Sequence, residues 1–324
     1  MGDPAGVGAE VIVKAFDAVR EHARPVVVGD ASVMAEAVRV CGSDLEVRAV
    51  DSVEAGLAVG DGIPVLDLGN VEALEYGVVC EDYGRASLEY VERAIDLAIA
   101  GTVDAIATAP INKQATRLAG AEHAGHTGLL AARTGVEDYS MMLVEAPLRV
   151  THVSTHLPLR EACDLVTTES VGSTIDVTHG ALRDLGIEEP RIAVAGLNPH
   201  ASDGGLIGEA DDAEIRPAVE AARERGTDAH GPESPDTVYV RAAGGEFDCV
   251  VSMYHDQGHI PIKMLGFGSD GAVSGVNVTV GLPIVRTSVD HGTAFDVAGE
   301  GVASETSLID AVRIAARLAA ARAD

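Results

Sequence analysis

The sequence predicts an α/β protein in which helices pack against a mostly parallel sheet. Short apolar runs of strand length alternate with longer stretches whose apolar residues recur at helical spacing. Alanine, valine and glycine dominate a chain of 324 residues that is 47% apolar and only 3% aromatic. This composition suits close packing of helices on buried parallel strands, and the length is ample for one large core or for two lobes.

The predicted elements follow one another in the alternating order of an α/β fold. The predicted helices cover residues 11–19, 31–40, 85–100, 169–185 and 305–321. Of two further predicted helices, one begins near residue 125 and the other ends near residue 225. The predicted strands cover residues 25–28, 45–50, 104–108, 141–144, 148–153, 191–195, 249–253 and 276–279, with 141–144 and 148–153 forming a hairpin-like pair. Residues 64–75 and 226–236 are predicted to be irregular.

The charge balance excludes two classes of partner. The chain carries a net charge of -28, from 51 acidic and 23 basic residues. A protein that binds nucleic acid or an anionic membrane surface needs a basic footprint, and this chain has the opposite. An acidic surface with only three lysines, Lys14, Lys113 and Lys263, indicates a halophilic protein, because molar salt screens the repulsion between its charges.

Cysteine usage and hydropathy indicate a cytoplasmic enzyme. The four cysteines are far apart and form neither a CxxC pair nor a disulfide-rich spacing, which predicts reduced thiols. No apolar run reaches about 18 residues, so no transmembrane helix is predicted. Met1 is followed at once by Gly2-Asp3-Pro4, so no signal peptide is expected either.

The stretch from residue 248 to residue 299 is the most informative part of the chain. The predicted strand 249–253 ends in a polar cluster at residues 254–258, and the strand 276–279 leads to Gly, Pro and Arg and then to Asp-His-Gly-Thr at 290–293. Strands that serve only as core rarely end this way. Because ligands of open α/β sheets bind beyond the carboxyl ends of the strands, these tips are candidate site residues.

Polar residues also lie in three earlier loops. Residues 1–10 form a Gly/Pro loop that enters a helix and can offer backbone N–H groups to an anion, although a tight turn is the simpler interpretation. Residues 109–113 follow a strand and place Lys113 at its tip. His126 and Thr127 open the next helix, with Thr127 as the predicted N-cap and His126 facing a cleft.

Three histidines, His156, His200 and His255, follow predicted strands, each within a few residues of Pro or Gly. Neutral imidazoles bind divalent metals well, and three of them with one open position make a catalytic metal site. The spacing carries no local signature, so three hydrogen-bonded histidines at strand ends remain the alternative.

A second group, Lys263, Asn277 and Arg286, lies among and beyond these tips. Such side chains can hold carboxylate and phosphate oxygens. Positive charge retained in so acidic a chain indicates a small anionic substrate, with ordinary surface ion pairs as the alternative.

Seven segments in this order resemble the 4-hydroxythreonine-4-phosphate dehydrogenase (PdxA-type) family. They are MGDPAGVGAE, TAPINK, GHTG, THLPLR, LNPH, YHDQGHIPIK and GLPIVRTSVDHGTAFDVAG, and they span nearly the whole chain. The last two are long and specific. The closing HGTAFDVAG is also similar to the cofactor-side loop of isocitrate and isopropylmalate dehydrogenases, which share the family's fold.

The resemblance implies a two-lobed α/β/α fold of the isocitrate/isopropylmalate dehydrogenase type, with a cleft between the lobes. One catalytic unit of residues 1–324 would have a cofactor-side lobe of about residues 1–125 plus 262–324. The metal and dimer side would be about residues 126–261. The family's homodimer would share the metal site across its interface, with His255 reaching in from the partner subunit.

The resemblance also assigns roles to residues. Metal ligands would be His156, His200 and His255; substrate contacts would be His126, Thr127, Lys263, Asn277 and Arg286. The cofactor loop would supply Asp290, His291, Gly292, Thr293 and Asp296. Asp236, Asp256 and Lys113 are candidates for proton transfer or for orienting the ligands.

The implied reaction is oxidation of a secondary alcohol by NAD or NADP, after which the keto acid loses CO2. One divalent metal, zinc first and otherwise magnesium, cobalt or manganese, would hold the substrate's oxygens. The substrate would be the phosphorylated small molecule 4-phosphooxy-L-threonine, converted to 3-amino-2-oxopropyl phosphate in pyridoxal phosphate biosynthesis.

TAPINK, however, is more similar to the branch that acts on 4-phospho-D-threonate or 4-phospho-D-erythronate, which gives dihydroxyacetone phosphate and CO2. Three departures from the family pattern are a missing strand before MGDPAGVGAE, Gly128 where the family usually has Glu, and a longer segment between Gly266 and Gly275. A non-catalytic sugar-phosphate or nucleotide-binding protein and a metal-dependent lyase on the same fold are the other function classes.

Overall fold

The computed structural model describes residues 1–123, 125–266 and 275–323, so most of the segment between Gly266 and Gly275 lies outside the described residues. The chain divides into two compact units. Unit 1 comprises Met1–Gly135 and Pro283–Ala319, and unit 2 comprises Val136–Leu282 and Ala320–Asp324. The lobe bounds predicted from the sequence were about residues 125 and 262.

The elements alternate along the chain as the sequence predicts. The helices are α1 (Gly8–Arg20), α2 (Ala31–Cys41), α3 (Val53–Leu57), α4 (Glu81–Ile99), α5 (Lys113–Leu118), α6 (His126–Thr134), α7 (Leu159–Asp164), α8 (Thr168–Asp184), α9 (Arg216–Glu224), α10 (Val238–Ala243), α11 (His255–Gly266) and α12 (Thr306–Ala323). The strands are β1 (Val27–Gly29), β2 (Val47–Val50), β3 (Ile63–Asp67), β4 (Ala105–Thr108), β5 (Ser140–Glu145), β6 (Leu148–His152), β7 (Arg191–Ala195), β8 (Asp228–Glu233), β9 (Cys249–Ser252), β10 (Val276–Val280) and β11 (Val285–Val289).

Unit 1 contains a three-stranded parallel arrangement and a parallel pair. β3 lies between β1 and β2, and Val65 is opposite both Val27 and Ala49. β4 pairs in parallel with β11, which places Ile106 opposite Arg286. The core beside β3 is formed by apolar side chains of α1, α2 and the strands, including the fully buried Met34 and Ile63.

Unit 2 has six strands in the order β10-β5-β6-β9-β7-β8. β5 pairs antiparallel with both β10 and β6, which confirms the predicted hairpin, and the pairs β6–β9, β9–β7 and β7–β8 are parallel. The carboxyl ends of β6, β7 and β9 therefore lie at one edge of the sheet, and the segments with His156, His200 and His255 leave from that edge.

Two regions predicted to be irregular contain strands, and that part of the prediction is wrong. All of β3 except Ile63 lies within residues 64–75, and Pro64 is accommodated because the ladder of β3 with β1 starts one residue later, at Val65. β8 lies within residues 226–236. It stands at the end of the strand order, where Gly231 and Pro232 are tolerated, and its pairing with β7 is irregular between Ala193 and Ala195.

Within the described ranges, no helix combines the length and the apolar character needed to cross a bilayer. All four cysteines are free thiols, as the sequence predicts. Cys249 on β9 is fully buried, and burial raises the pKa of its thiol to about 12, so this cysteine is packed as an unreactive core residue.

Candidate active site

Four imidazoles form a row in unit 2. The ring of His255, at the start of α11, lies 5.5 Å from the ring of His156 between centroids, with a 55° tilt. His259, one helical turn later, stacks on His255 at 3.5 Å and 11°. His152, the buried last residue of β6, lies 4.7 Å from His259. The row thus leads from the interior to the exposed His156.

The two inner rings of this row are neutral near neutral pH. Burial is the main cause that lowers the pKa of His152 to about 3, and the charge of His259 acts in the same direction. Burial also lowers the pKa of His259 to about 4, with a contribution from His255. A neutral inner pair adds no positive charge behind His255, which favours cation binding there.

The first turn of α11 is fixed tightly against the sheet. A Cβ atom at Gly258 would lie 2.5 Å from Nε2 of His152 and 2.5 Å from Cγ1 of Val150, so only glycine allows this approach. The Gln257 side chain accepts from the Met253 N–H at 2.7 Å and donates to the Gly196 carbonyl at 2.7 Å. Gln257 therefore ties the start of α11 to the end of β7, where the His200 segment begins.

His200 lies in a strained turn after β7. His200, Ala201, Ser202 and Asp203 all have positive φ, at 56°, 53°, 67° and 46°. Nδ1 of His200 is 3.9 Å from Oδ2 of Asp236, and both side chains are exposed. Oδ1 of Asp236 accepts from the Ser234 hydroxyl at 2.7 Å, a bond that lowers the pKa of this carboxyl.

Asp256 is the second carboxylate beside a candidate metal ligand. Its Oδ1 is 2.7 Å from Nδ1 of His255, an arrangement that leaves Nε2 as the ring nitrogen available to a cation. The structure thus brings His156 and His255 together and places His200 beside Asp236. Among residues 1–123, 125–266 and 275–323, no group of three His, Cys, Asp or Glu side chains in one chain is arranged to hold a metal ion.

Unit 1 contains the buried arginine of the predicted substrate set. Arg286 on β11 is only 2% exposed, and its Nη2 donates to Oγ1 of Thr108 on β4 at 2.7 Å. Burial lowers the pKa of Arg286 to about 9, so the guanidinium is still protonated at neutral pH. Its interior position suits a site for one anion rather than a solvated surface pair.

His126 and Lys113 share the electrostatic environment of Arg286. The pKa of His126 is well below its ordinary value, chiefly because of burial and then because of the positive charges of Arg286 and Lys113. The buried Nε2 of His126 has no hydrogen-bond partner among the described residues. A Cβ atom at Gly125 would lie 3.8 Å from Cε of Lys113, so this lysine lies beside the start of α6.

The prediction that Thr127 is the N-cap of α6 is wrong, because the helix already begins at His126 and its N-cap is Gly125. The side-chain cap belongs to α5 instead, where Asn112 accepts from the N–H groups of Gln114 and Ala115 at 2.9 and 3.0 Å. This cap places Lys113 in the first turn, at the positive end of the helix.

Two residues of the predicted substrate set lie in unit 2 rather than unit 1. Lys263 lies in the last turn of α11, two helical turns after His255. Asn277 lies on β10 opposite Leu143, and its buried Oδ1 has no hydrogen-bond partner among the described residues.

The predicted cofactor loop is anchored to the start of α1 and to α12. The Val7 N–H donates to the Thr293 carbonyl at 3.0 Å, and the Asp290 N–H donates to Oγ of Ser307 at 3.1 Å. The fully buried Glu10 accepts from the N–H groups of Gly299 and Gly301 at 2.6 and 2.8 Å. The other predicted cofactor contacts, His291, Gly292 and Asp296, lie in the same loop.

Asp3 in the opening loop is a second buried carboxyl that the sequence did not single out. It is 1% exposed; Oδ1 accepts from the Ala5 N–H at 2.9 Å, and Oδ2 has no hydrogen-bond partner among the described residues. Burial raises the pKa of Asp3 to about 6. Between the ordinary pKa of an aspartate and about 6, the folded protein therefore holds a proton at Asp3 that the unfolded chain has already released.

Asp3→Asn is expected to stabilise the fold near neutral pH. Between the ordinary pKa of an aspartate and about 6, the folded state binds more protons than the unfolded state, so stability falls as pH rises through this window. The amide removes that loss, and we expect a gain of about 1–3 kcal/mol near pH 7 that disappears below about pH 4. Urea unfolding across pH, with the exposed Asp17→Asn as control, measures this. A gain that is independent of pH would contradict the explanation.

Comparison with known proteins identifies the family. The family model described as "Pyridoxal phosphate biosynthetic protein PdxA" matches residues 21–315. The chain belongs to the PdxA family. It is 48% identical to a D-threonate 4-phosphate dehydrogenase of Cupriavidus necator, over 100% of this chain and 97% of the relative. It is 44% identical to a 4-hydroxythreonine-4-phosphate dehydrogenase of Desulfosudis oleivorans, over 97% of this chain and 93% of that protein.

Solved PdxA structures agree with this assignment. A 4-hydroxythreonine-4-phosphate dehydrogenase from Klebsiella pneumoniae superposes with a TM-score of 0.86 at 42% identity, covering 98% of this chain and 96% of that one. One from Burkholderia phymatum gives 0.84 at 45% identity with the same coverage. The predicted family, fold class and enzyme class, an oxidoreductase, are confirmed.

The sequence did not reveal the residues that support the histidines. His152 lies near the end of the predicted strand 148–153, and Gln257 and His259 lie within the motif YHDQGHIPIK, but residues 254–258 were interpreted as a strand tip rather than a helix start. Predicting the helix would have placed His255 and His259 on one face, because residues four apart are neighbours.

Proposed function

We propose that this PdxA-family chain is a metal- and NAD(P)-dependent dehydrogenase that oxidises and decarboxylates a 4-phosphorylated four-carbon hydroxy acid. The observation that carries the proposal is the buried Arg286 beside Thr108, in the same environment as His126 and Lys113. In a chain with a net charge of -28, an interior cation supports a phosphorylated anionic substrate.

His156, His200 and His255 are the proposed metal ligands. Their donor set fits a divalent cation such as Zn²⁺, with Mg²⁺, Co²⁺ or Mn²⁺ as alternatives, because neutral imidazoles bind such cations well and Asp256 holds Nδ1 of His255, which leaves Nε2 for the metal. When bound, the cation supplies a Lewis acid that acidifies the substrate hydroxyl and stabilises the negative charge formed on decarboxylation. Asp236 and Asp256 then serve to orient imidazoles rather than to transfer protons.

The loop with Asp290, His291, Gly292, Thr293 and Asp296 is the proposed nicotinamide dinucleotide contact. Its anchoring through Val7 and Glu10 gives the loop a fixed backbone against which a cofactor can bind. Lys113 is the remaining candidate for proton transfer, because this first residue of α5 lies beside the start of α6, where His126 is located. NAD and NADP are both candidate cofactors.

The substrate itself is either 4-phosphooxy-L-threonine or 4-phospho-D-threonate, with 4-phospho-D-erythronate as a further candidate. The TAPINK motif and the 48% identity to a D-threonate 4-phosphate dehydrogenase favour the threonate. Formation of reduced nicotinamide from each phosphorylated acid, with NAD⁺ and with NADP⁺, decides among them. If none of the acids supports reduction while one still binds, a binding protein or a lyase becomes the better description.

We propose a homodimer in which His156 and His200 of one subunit act with His255 of the other. Ile260 and Met264 lie one turn apart on α11 and are 59% and 77% exposed, so an apolar face adjoins the imidazole row. A second copy of the chain would cover it. Light scattering should give the mass of a pair, and Ile260→Asp with Met264→Asp should give a monomer. A wild-type monomer at assay concentrations would contradict this arrangement.

The acidic surface is proposed to be a halophilic adaptation of a cytoplasmic enzyme that binds neither nucleic acid nor anionic membranes. Because about 1 M salt shortens the Debye length to roughly 3 Å, repulsion within the net charge of -28 is then largely screened. We therefore expect the melting temperature and the activity to rise with KCl concentration. Calorimetry at low and at molar KCl measures this, and an unchanged melting temperature would reject the adaptation.

A further inference from the structure

The turn that carries His200 needs an external support. Four successive non-glycine residues, His200 to Asp203, occupy the left-handed region that such residues rarely adopt. Local preferences therefore disfavour this conformation, and the surrounding structure must hold it. The His200 side chain itself is 63% exposed, so its own packing is a weak restraint.

Asp211 provides that support from both sides of His200. Its side chain is fully buried, and Oδ1 accepts from the Leu197 N–H at 2.8 Å. Oδ2 accepts from the Ser202 hydroxyl at 2.5 Å, from Nδ2 of Asn198 at 2.7 Å and from the Asn198 N–H at 3.3 Å. One carboxylate thus fixes the chain before His200 and after it.

The local sequence is built around this carboxylate. A Cβ atom at Gly196 would lie 2.6 Å from Oδ1 of Asp211, so glycine is needed for the backbone to approach it. Asp211 also begins a π-helical stretch, Asp211–Ile215, which leads into α9. Such wide turns are frequent at functional sites, and here one brings a buried acceptor to the base of the turn.

We propose that Asp211 is the positioning residue of His200, holding the strained turn so that the imidazole is preorganised for a divalent cation. This role rests on the proposed function of His200 as a metal ligand. Asp211 does not touch the cation or the substrate. Its contribution is the energy of ordering the turn, which would otherwise have to come from metal binding.

Asp211→Asn tests the proposal, because the amide keeps the size of the side chain but turns one acceptor into a donor that faces other donors. We expect the affinity of the metal-free protein for Zn²⁺, measured by competition with a chelator, to fall by about 10- to 100-fold. Excess Zn²⁺ should restore turnover to this variant but not to His200→Ala. Hydrogen exchange of the Leu197 and Asn198 amides should become faster even without metal.

Asp212→Asn is the matched control, since Asp212 is an exposed neighbour that forms an ion pair with Arg216 at 2.6 Å. We expect it to bind Zn²⁺ like the wild type. If Asp211→Asn does not fold, Ser202→Ala removes one hydrogen bond and should weaken Zn²⁺ binding by a smaller factor.

Two failures can be told apart. If Asp211→Asn binds Zn²⁺ as tightly as the wild type, the positioning role is overturned and the proposed function stands. The same holds for Ser202→Ala if that variant replaces Asp211→Asn. Equal affinity in wild type and His200→Ala overturns the metal role of His200 itself, and the positioning role with it.

Discussion

His200→Ala is expected to abolish turnover while the fold stays intact. The side chain is 63% exposed, so its truncation leaves no cavity in the core. Losing one of three proposed metal ligands removes several kcal/mol of transition-state stabilisation, and about 4 kcal/mol corresponds to roughly a thousandfold in kcat/KM. Formation of reduced nicotinamide measures the turnover, and thermal unfolding measures whether the fold is intact. Near-wild-type rates would remove the metal role from His200.

Two control variants separate the imidazole from its backbone. His200→Asn keeps a residue that tolerates positive φ, so it should be as inactive as His200→Ala if the ring is what matters. His22→Ala, an exposed histidine of unit 1, should have wild-type activity.

Mixing His200→Ala with His255→Ala tests whether the site is shared between subunits. Each variant alone is expected to be inactive. If His200 and His255 of one site come from different subunits, half of the random pairs contain one intact site, and about a quarter of the wild-type activity returns. If both come from one chain, an arrangement that the neighbouring rings of His156 and His255 also allow, no activity returns.

Much of the fold was predictable because the strand tips carry visible signals. In the strand Arg191–Ala195, an apolar run follows Arg191 and stops at Gly, Asn and Pro, and the predicted bounds agree with the structure. The positions of His156, His200 and His255 after strands follow from the same pattern. Parallel pairing of β6, β9 and β7 then brings these tips to one edge of the sheet.

The sequence could not show which side chains accept hydrogen bonds from backbone N–H groups. Asp211 matters because it satisfies the Leu197 and Asn198 N–H groups, and donors that belong to the main chain leave no trace in residue types. In the sequence it is one acidic residue among several. Lysine is rare in this chain, yet Lys14 pairs with Glu305 at 3.2 Å and donates to the Ala303 carbonyl, so the rarity of a residue type does not by itself indicate a site residue.

β8 shows a third limit. Gly231 and Pro232 are turn formers, and only the position of their strand at the end of the sheet order makes them acceptable there. Local propensity predicted a loop, and tertiary pairing with β7 overrode it.

Arg286→Met is expected to weaken catalysis and to leave the fold as stable as before or more stable. The lowered pKa of Arg286 means that the folded protein disfavours the cation, and near neutral pH both the folded and the unfolded chain carry that charge in full. Methionine removes the unfavourable charge and keeps much of the volume. The proposed phosphate contact is lost with it, so kcat/KM should fall by about 10- to 100-fold, from the roughly 1.5–3 kcal/mol of a charged hydrogen bond.

The opposite signs of these two effects make the prediction specific. A residue kept for packing would lose stability and activity together, whereas a residue kept for binding an anion loses activity alone. Inorganic phosphate should raise the melting temperature of the wild type but not of Arg286→Met. Arg286→Lys should have a kcat/KM between those of the wild type and Arg286→Met, since lysine retains a charge but cannot bind an anion in a bidentate manner. The exposed Arg39→Met should change neither quantity, and a marked loss of stability in Arg286→Met with unchanged KM would show that the arginine is structural.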